Sequence, residues 1–296
     1  VIFDKNGIVK SAKGTPVLLL GDNFFERRDE KGNKYQLEGT EKEEVIKFIK
    51  DNKELSIVKP DAASENLLKK YAEQKQDLGK IIIGSVKDEI PGGSENRIPD
   101  SKNPNGSYAT QLVSESMLYT LQNMGTGDVD LVIQNSGGVR ISIMPGDFTY
   151  DSGYTLLPFS NTLYTLKMTG KEIKQVLEEA IDYSLLPGGS TGSFPYGAGI
   201  RYEAKKNGTL GNRITKVEVK DRNTGKWSAI DYKKMYTVGT NAYIAGGKDG
   251  YVTFGKVRDE RGGTDTYLDD AKSFIDYVKF VKVIKKPDST GVKFTF

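Results

Sequence analysis

The pattern of apolar and polar positions divides the chain into two parts. The first has few apolar positions and weak periodicity, and the second has longer apolar and periodic segments. Residues 1–58 alternate short apolar runs with polar, turn-rich stretches such as 29–33. One helix is predicted there, at 42–50, from apolar residues at helical spacing. This part is thin for an independent domain, so we expect it to pack against another part of the protein.

The second part carries stronger periodicities. An apolar stripe over 62–78, just after Pro60, predicts a connecting helix, and residues 87–107 are rich in Pro, Gly, Ser and Asn, which predicts a loop. The remaining predictions are helices at 111–122 (ending near Gly125), at 170–183 after a Thr169 to Glu172 capping box, and at 267–280, with strands at 81–83, 130–134, 162–168, 200–203, 214–219 and 236–240. Because helices and strands do not alternate strictly, we predict an α+β (mixed α/β) fold, with a mixed sheet and flanking helices.

Composition narrows the class of protein. The 296 residues carry 43 basic and 40 acidic side chains, a net charge of +3 that is too weak to indicate nucleic acid or a membrane surface. There is no cysteine, and hence no disulfide, and no apolar run reaches transmembrane length. The chain opens at Val1 without a signal peptide or an initiator methionine, so we expect a mature protein or a fragment.

The absence of histidine constrains the chemistry most sharply. Histidine is the commonest transition-metal ligand and the usual general base near neutral pH. A His-ligated zinc site or a Ser-His-Asp triad built from this chain alone is therefore excluded.

A first candidate motif, NSGGVR, runs from Asn135 to Arg140 directly after a predicted strand. Gly137 and Gly138 let a ligand approach the backbone, and the guanidinium offers a planar fork of donors. The Gly-Lys-Ser/Thr ending of a phosphate-binding loop is missing. A glycine turn with a surface arginine is the plainer interpretation.

A second motif, LPFSN, ends at Asn161. In an extended chain the side chains of Phe159 and Asn161 share a face. The phenylalanine could be a core residue, but the nearby amide favours a wet, ligand-facing surface.

A third motif, TNAYIAGGKDGY, follows another predicted strand. Tyr243 offers a second ring, and Asp249 can accept hydrogen bonds from hydroxyl groups. The alternative is a simple turn with Gly250 in a left-handed conformation.

Taken in order, the three motifs and the Thr-Gly-x-Glu helix start resemble the C-terminal domain of the 5′-nucleotidase family. The resemblance extends over most of the chain and implies three parts. These are a tail of the N-terminal metallophosphatase domain at 1–58, an interdomain linker helix at 59–80, and the nucleotide-binding C-terminal domain at 81–296.

The resemblance implies that the N-terminal domain, absent here, holds two divalent metal ions and a catalytic Asp-His pair. No cofactor and no catalytic residue are expected in this chain. The expected substrate-binding residues are Phe159 and Tyr243 on either side of the base, Asn161 and Asn135 at its polar edge, Arg140 and Asp249 on the ribose hydroxyls, and Gly137 and Gly138 in the loop. Arg97 is the arginine available for a further family position, although residues 98–106 depart from the family pattern.

Two interpretations of function follow. The chain is either the substrate-binding domain of a metal-dependent 5′-nucleotidase, inactive alone, or a non-enzymatic nucleotide-binding or surface interaction module with the same fold. Expected ligands are AMP, adenosine and, from the sequence at 92–108, NAD; the expected partner is the N-terminal metallophosphatase domain. Nucleic-acid binding is disfavoured, because the basic segment 279–286 is better explained as a solvated helix end and a strand.

By the same resemblance, rotation near Pro60 brings the bound nucleotide to the metals. The family's export predicts a periplasmic, secreted or cell-surface location.

Overall fold

The structure is a computed structural model that describes residues 1–28, 34–123 and 128–295. The chain divides into two compact units, Val1–Lys75 and Gln76–Phe296. The boundary lies inside a helix that begins at Ala62 and ends at Gly79. The assignment of residues 1–58 to a metallophosphatase tail and of residues 59–80 to a linker stays a prediction.

The first unit consists of short strands and helices around a small core of Leu20, Phe25, Leu37 and Ile49. Its elements are β1 (Ile2–Phe3), β2 (Val9–Ser11), β3 (Leu18–Leu20), β4 (Glu26–Arg28), β5 (Lys34–Gln36), α1 (Gly39–Asp51), β6 (Leu55–Ile57) and α2 (Ala62–Gly79), which continues into the second unit. Strands β3 and β6 pair in parallel. Both predicted helices are confirmed, and the predicted turn at 29–33 lies outside the described residues.

The second unit contains the remaining helices and twelve strands, and all twelve strands belong to three sheets. They are β7 (Ile82–Val86), α3 (Tyr108–Asn123), β8 (Leu131–Asn135), β9 (Gly146–Thr149), α4 (Tyr150–Leu156), β10 (Thr162–Thr169), α5 (Gly170–Leu185), β11 (Pro195–Ala198), β12 (Ile200–Lys205), β13 (Ile214–Lys220), β14 (Trp227–Ala229), β15 (Met235–Asn241), α6 (Ala242–Ala245), α7 (Val252–Arg261), β16 (Thr264–Asp269), α8 (Asp270–Val281), β17 (Val283–Ile284) and β18 (Val292–Thr295).

Mixed sheets confirm the predicted fold class. A five-stranded sheet has the order β11-β8-β15-β10-β16, a four-stranded sheet the order β14-β13-β12-β18, and a three-stranded sheet the order β17-β7-β9. In the five-stranded sheet only β8 and β15 run parallel to each other.

Helices cover both faces of the five-stranded sheet, as strand β8 shows. Its residues Leu131 and Ile133 belong to a core that includes helices α5 and α7, whereas Val132 belongs to a second core that includes α3 and α8. Successive side chains of a strand point to opposite faces, so the two cores lie on opposite sides of the sheet.

One end of this sheet, called the site end below, is where β8 and β15 finish, at Asn135 and Asn241. Because β10 is antiparallel to β15, it begins at this end, and Leu163 pairs with Asn241. For the same reason β16 finishes here and β11 begins here, with Pro195 paired to Asn135. Loops from all five strands therefore meet at one end of the sheet.

Two local predictions need correction. Helix α8 begins at Asp270 and not at residue 267, because residues 264–269 pair with β10 as a strand, and Asp269 caps the helix by accepting from the Lys272 amide at 2.7 Å. Residues 158–160 form a turn, with Ser160 at a φ of 52°, and not the extended backbone that we predicted.

Other local predictions are confirmed. The Thr169 and Glu172 side chains form the predicted capping box at the start of α5. The basic segment 279–286 contains the end of α8 and the short strand β17. The predicted end of α3 near Gly125 lies outside the described residues.

Candidate functional site

A cavity of about 410 Å³ opens at the site end of the five-stranded sheet. All nine side chains and glycines predicted from the sequence line it: Arg97, Asn135, Gly137, Gly138, Arg140, Phe159, Asn161, Tyr243 and Asp249. Two further lining residues, Ser190 and Gly192, were not predicted. The cavity therefore collects residues from five separate stretches of the chain.

Asn135 and Asp249 form the polar floor of the cavity. Asn135 is 3% exposed; its Nδ2 donates to Asp249 Oδ2 at 2.9 Å, and its Oδ1 accepts from Asn241 Nδ2 at 3.0 Å. Both ends of this amide are thus engaged by the protein, which leaves one N–H of Asn135 for a ligand. The arrangement makes Asn135 chiefly a support for the Asp249 carboxylate.

Asn241 fixes this floor to the sheet. Its Oδ1 accepts from the Ile244 amide at 3.0 Å, which caps α6, while its Nδ2 also donates to Gln134 Oε1 at 2.9 Å. A buried amide with every group paired has a single orientation. The end of β15 therefore holds the end of β8 in register by side chains as well as by the backbone.

Two aromatic side chains remain open to solvent at the cavity. Phe159 is 54% exposed and Tyr243 is 45% exposed. The Tyr243 hydroxyl donates to Asp249 Oδ1 at 3.4 Å, and partial burial together with the Asp249 carboxylate raises the pKa of this hydroxyl. Tyr243 thus stays a protonated donor, and neither ring is used up in the core.

The Arg140 guanidinium lies over the Phe159 ring, with its Cζ 5.4 Å from the ring centroid, and its Nη1 donates to the Gly137 carbonyl at 3.2 Å. A cation–π contact of this kind is weakly attractive and helps to orient the ring. One face of Phe159 is therefore covered by a cation, while the residue as a whole stays 54% exposed.

Arg97 brings a second cation to the cavity. Its Nη1 donates to Thr191 Oγ1 at 3.4 Å, and its Nε is buried without a hydrogen-bond partner among the described residues. Burial lowers the pKa of Arg97, and the nearby Arg140 lowers it further, although arginine stays charged at any physiological pH. Two guanidiniums with the single carboxylate of Asp249 give the cavity an excess of positive charge.

The segment that carries Ser190 and Gly192 locks the surrounding loops together. An added Cβ at Gly192 would lie 2.9 Å from the Gly137 Cα, so only glycines allow this approach. Ser136 Oγ donates to the Gly192 carbonyl, and Ser193 Oγ donates to the Asp249 carbonyl at 2.6 Å. In the sequence this Gly- and Ser-rich segment is indistinguishable from a plain connector.

The third motif also forms the turn at Gly250 that was its alternative interpretation. Gly250 has a φ of 79°, and a Cβ there would lie 2.6 Å from the Tyr183 side chain. Asp249 itself has a φ of 53°. The turn and the cavity are one structure, because this backbone presents the Asp249 carboxylate to Asn135.

Asn161 is held from behind by Asp270. Its Nδ2 donates to Asp270 Oδ2 at 3.3 Å, and the Asp270 amide donates to the Asn161 carbonyl at 2.9 Å. Asp270 is 3% exposed, and burial raises the pKa of its carboxyl to about 7, with the hydrogen bond from Asn161 opposing the rise and Asp269 adding to it. Nothing in the sequence marks Asp270 as a site residue, because it lies within the apolar pattern of a predicted helix.

Within residues 1–28, 34–123 and 128–295, no group of three or more His, Cys, Asp or Glu side chains could hold a metal ion. The two divalent metals that the resemblance assigns to the N-terminal domain stay a prediction. No helix in the described part of the chain has both the length and the apolar character needed to cross a membrane.

The fold is a mixed α/β domain, and the cavity at its site end carries two exposed aromatic rings and two guanidiniums. Residues 82–256 match the family model for the 5′-nucleotidase C-terminal domain. The chain belongs to the 5′-nucleotidase family through this domain, which confirms the resemblance of its motifs.

Particular relatives cover nearly all of the chain. It is 44% identical to the NAD 5′-nucleotidase of Haemophilus influenzae over 99% of its own length and 49% of that protein, and 41% identical to a Treponema pallidum protein named "Probable 5′-nucleotidase", over 99% and 50%. Thus the chain spans about half the length of the curated relatives that it matches.

Solved structures give the same result. The Haemophilus influenzae NAD nucleotidase superposes with a TM-score of 0.70 at 43% identity, over 99% of this chain and 52% of that one. A 5′-nucleotidase precursor from Thermus thermophilus superposes with a TM-score of 0.66 at 29% identity, over 78% and 43%.

Proposed function

We propose that this chain is the substrate-binding and specificity domain of a metal-dependent 5′-nucleotidase, an enzyme that hydrolyses nucleoside 5′-phosphates. One observation carries the proposal: nine residues from distant motifs line a single cavity that has two exposed aromatic rings and two guanidiniums. A nucleotide combines a flat base, a ribose with hydroxyls and an anionic phosphate, and the cavity offers a counterpart to each.

In this proposal the base stacks between Phe159 and Tyr243. Stacking on an aromatic side chain contributes roughly 1–3 kcal/mol per base and tolerates different bases. Asn161 contacts the polar edge of the base, and the Asp249 carboxylate accepts hydrogen bonds from the ribose hydroxyls. Arg140 assists at the ribose, and Gly137 and Gly138 let it approach the backbone.

The two arginines suit the charged part of the ligand. Arg97 and Arg140 lie close enough to lower the pKa of Arg97, a repulsion that a bound phosphate would relieve. NAD enters the proposal beside AMP and adenosine because the chain is 44% identical to a protein named NAD 5′-nucleotidase.

Hydrolysis belongs to a metal-bearing domain outside this chain. The sequence has no histidine, and its described carboxylates form no metal-binding group. What this chain supplies is therefore binding and orientation of the nucleotide. We further propose that rotation near Pro60 carries the bound nucleotide to that domain.

The test is calorimetric titration of the purified chain with adenosine, AMP and NAD. Phe159→Ala and Tyr243→Ala should each weaken binding about 10- to 100-fold, the loss expected from one stacking ring. Tyr232→Ala is the matched control, because Tyr232 is 50% exposed and precedes the start of β15, at the opposite end of the sheet.

Binding that is absent, or indifferent to both ring deletions, would favour the alternative of a surface interaction module. Hydrolysis of AMP by this chain with added divalent metal, at the rate of an intact family enzyme, would contradict its assignment as a binding domain alone.

A further inference from the structure

The Asn161 amide has only one orientation available while Asp270 is ionised. A carboxylate has no hydrogen to donate, so the end of the amide that faces it must be the NH₂ group. The observed contact, from Asn161 Nδ2 to Asp270 Oδ2 at 3.3 Å, has this sense. The carbonyl oxygen of the same planar amide is consequently turned away from Asp270.

Asn161 lines the cavity and is only partly buried, and its Oδ1 accepts no hydrogen bond from the described residues. Asn135, the other asparagine of the cavity, has its own oxygen occupied by Asn241. Of the two side-chain amide oxygens at the site, that of Asn161 is the one left for a ligand.

Asp270 is rigidly placed for this task. It is 3% exposed at the start of α8, and its backbone amide also bonds to the Asn161 carbonyl at 2.9 Å. Its Oδ1 is buried without a hydrogen-bond partner among the residues that the structure describes. A buried carboxylate that is left half-paired is costly for stability, which argues that its position serves something else.

We propose that Asp270 is a positioning residue that turns the carbonyl oxygen of Asn161 toward the ligand, and that this selects bases presenting an amino group over bases presenting an oxo group. The inference rests on the proposed nucleoside site. An amino group, as on adenine or cytosine, donates to the Asn161 oxygen; an oxo group, as on hypoxanthine or uracil, meets it lone pair to lone pair.

The test compares adenosine with inosine, which differ in this substituent, at pH 8, above the Asp270 pKa of about 7. The intact chain should bind adenosine about tenfold more tightly than inosine, the worth of one hydrogen bond. In Asp270→Asn the residue behind Asn161 can donate or accept, so the amide can turn over and the preference should fall to about twofold or less.

Asp269→Asn is the matched control. It removes the neighbouring carboxylate and keeps a residue that can cap α8, and Asp269 bonds to the Lys272 amide and not to Asn161. It should keep the wild-type preference. Asn161→Ala removes the selecting oxygen itself and should abolish the preference, which keeps the test decisive if Asp270→Asn does not fold.

The possible failures can be told apart. A chain that binds neither nucleoside overturns the proposed function and this inference with it. A chain that binds both equally, or an Asp270→Asn or Asn161→Ala variant that keeps the wild-type preference, overturns this inference alone. General damage to the fold would weaken the binding of both nucleosides together and leave the ratio of their affinities unchanged.

Discussion

Asn135 Nδ2 donates to Asp249 Oδ2 at 2.9 Å across 114 positions of sequence, and this bond joins the end of β8 to the loop after α6. Asn241 fixes the orientation of the Asn135 amide, because Asn241 Nδ2 donates to Asn135 Oδ1 at 3.0 Å. The carboxylate that we assign to the ribose is thus fixed before any ligand arrives, and pre-organisation of this kind reduces the cost of binding.

This relationship gives a first prediction. Asn135→Asp places a second carboxylate against Asp249, so the bond is replaced by repulsion, and adenosine affinity should fall by more than about tenfold. Asn135→Ala removes the bond without adding charge, so its adenosine affinity should fall less than that of Asn135→Asp. Calorimetric titration of both variants checks the order, and equal losses would show that the charge of Asp249 plays no part.

The close approach of two glycines gives a second prediction. Gly192→Ala forces its Cβ to within 2.9 Å of the Gly137 Cα, so the two loops must separate. The free energy of unfolding, measured in urea, should fall by about 1–3 kcal/mol, and adenosine affinity should fall with it. Gly188→Asn is the control in the same loop, because Gly188 has open space around it and asparagine tolerates its φ of 80°.

The Asp270 carboxyl gives a third prediction, on pH. Its folded pKa of about 7 lies above the usual 3.8, so the folded state binds the proton more tightly than the unfolded state. Its contribution to stability is therefore largest in acid and declines as pH rises through the window from about 4 to 7. By linkage the decline is at most about 4 kcal/mol.

Denaturant unfolding of the intact chain and Asp270→Asn across pH 4 to 8 measures this decline. The variant should gain stability relative to the intact chain as pH rises, because the ionisation that opposes folding has been removed. Stability curves that stay parallel over this range would mean that the carboxyl does not titrate with a raised pKa.

A fourth prediction concerns the link between α5 and the start of β13 in the four-stranded sheet. Glu178, on α5, is 1% exposed and accepts from the backbone amides of Gly211, Arg213 and Ile214 and from Lys174 Nζ, at 2.8 to 3.0 Å. Glu178→Ala leaves these donors unpaired and should reduce the free energy of unfolding in urea by about 3–5 kcal/mol. Lys174→Met removes only the partly exposed partner and should cost under about 1 kcal/mol.

Much of the site could be predicted because most of its residues sit in short motifs directly after or before strands. The order of apolar runs placed the ends of β8 and β15 correctly to within one residue, and parallel neighbours necessarily finish at the same end of a sheet. Hydrogen bonds between residues close in sequence could also be predicted. The capping box of Thr169 and Glu172 needs only four residues and no tertiary partner.

The rest depends on contacts between distant segments. Ser190 and Gly192 acquire their place only because Gly137 lies opposite them, and nothing in a Gly- and Ser-rich run marks this. The start of α8 was missed because Leu268 continues the apolar stripe of the helix, although pairing with β10 holds that residue in a strand. Phe159 and Asn161 share the cavity through a turn, which the extended-chain argument did not foresee.

The convergence of five strands at the site end has a consequence for how such a domain can change. Four of the five segments that line the cavity adjoin strands of one sheet, namely β8, β10, β11 and β15, while Arg97 comes from the loop before α3. A substitution in one loop can alter which ligand fits and leave the other segments in place, whereas a substitution inside the sheet displaces all four segments that it carries. Ligand recognition in this molecule can therefore change one loop at a time, whereas the sheet that carries the loops cannot change without moving several of them.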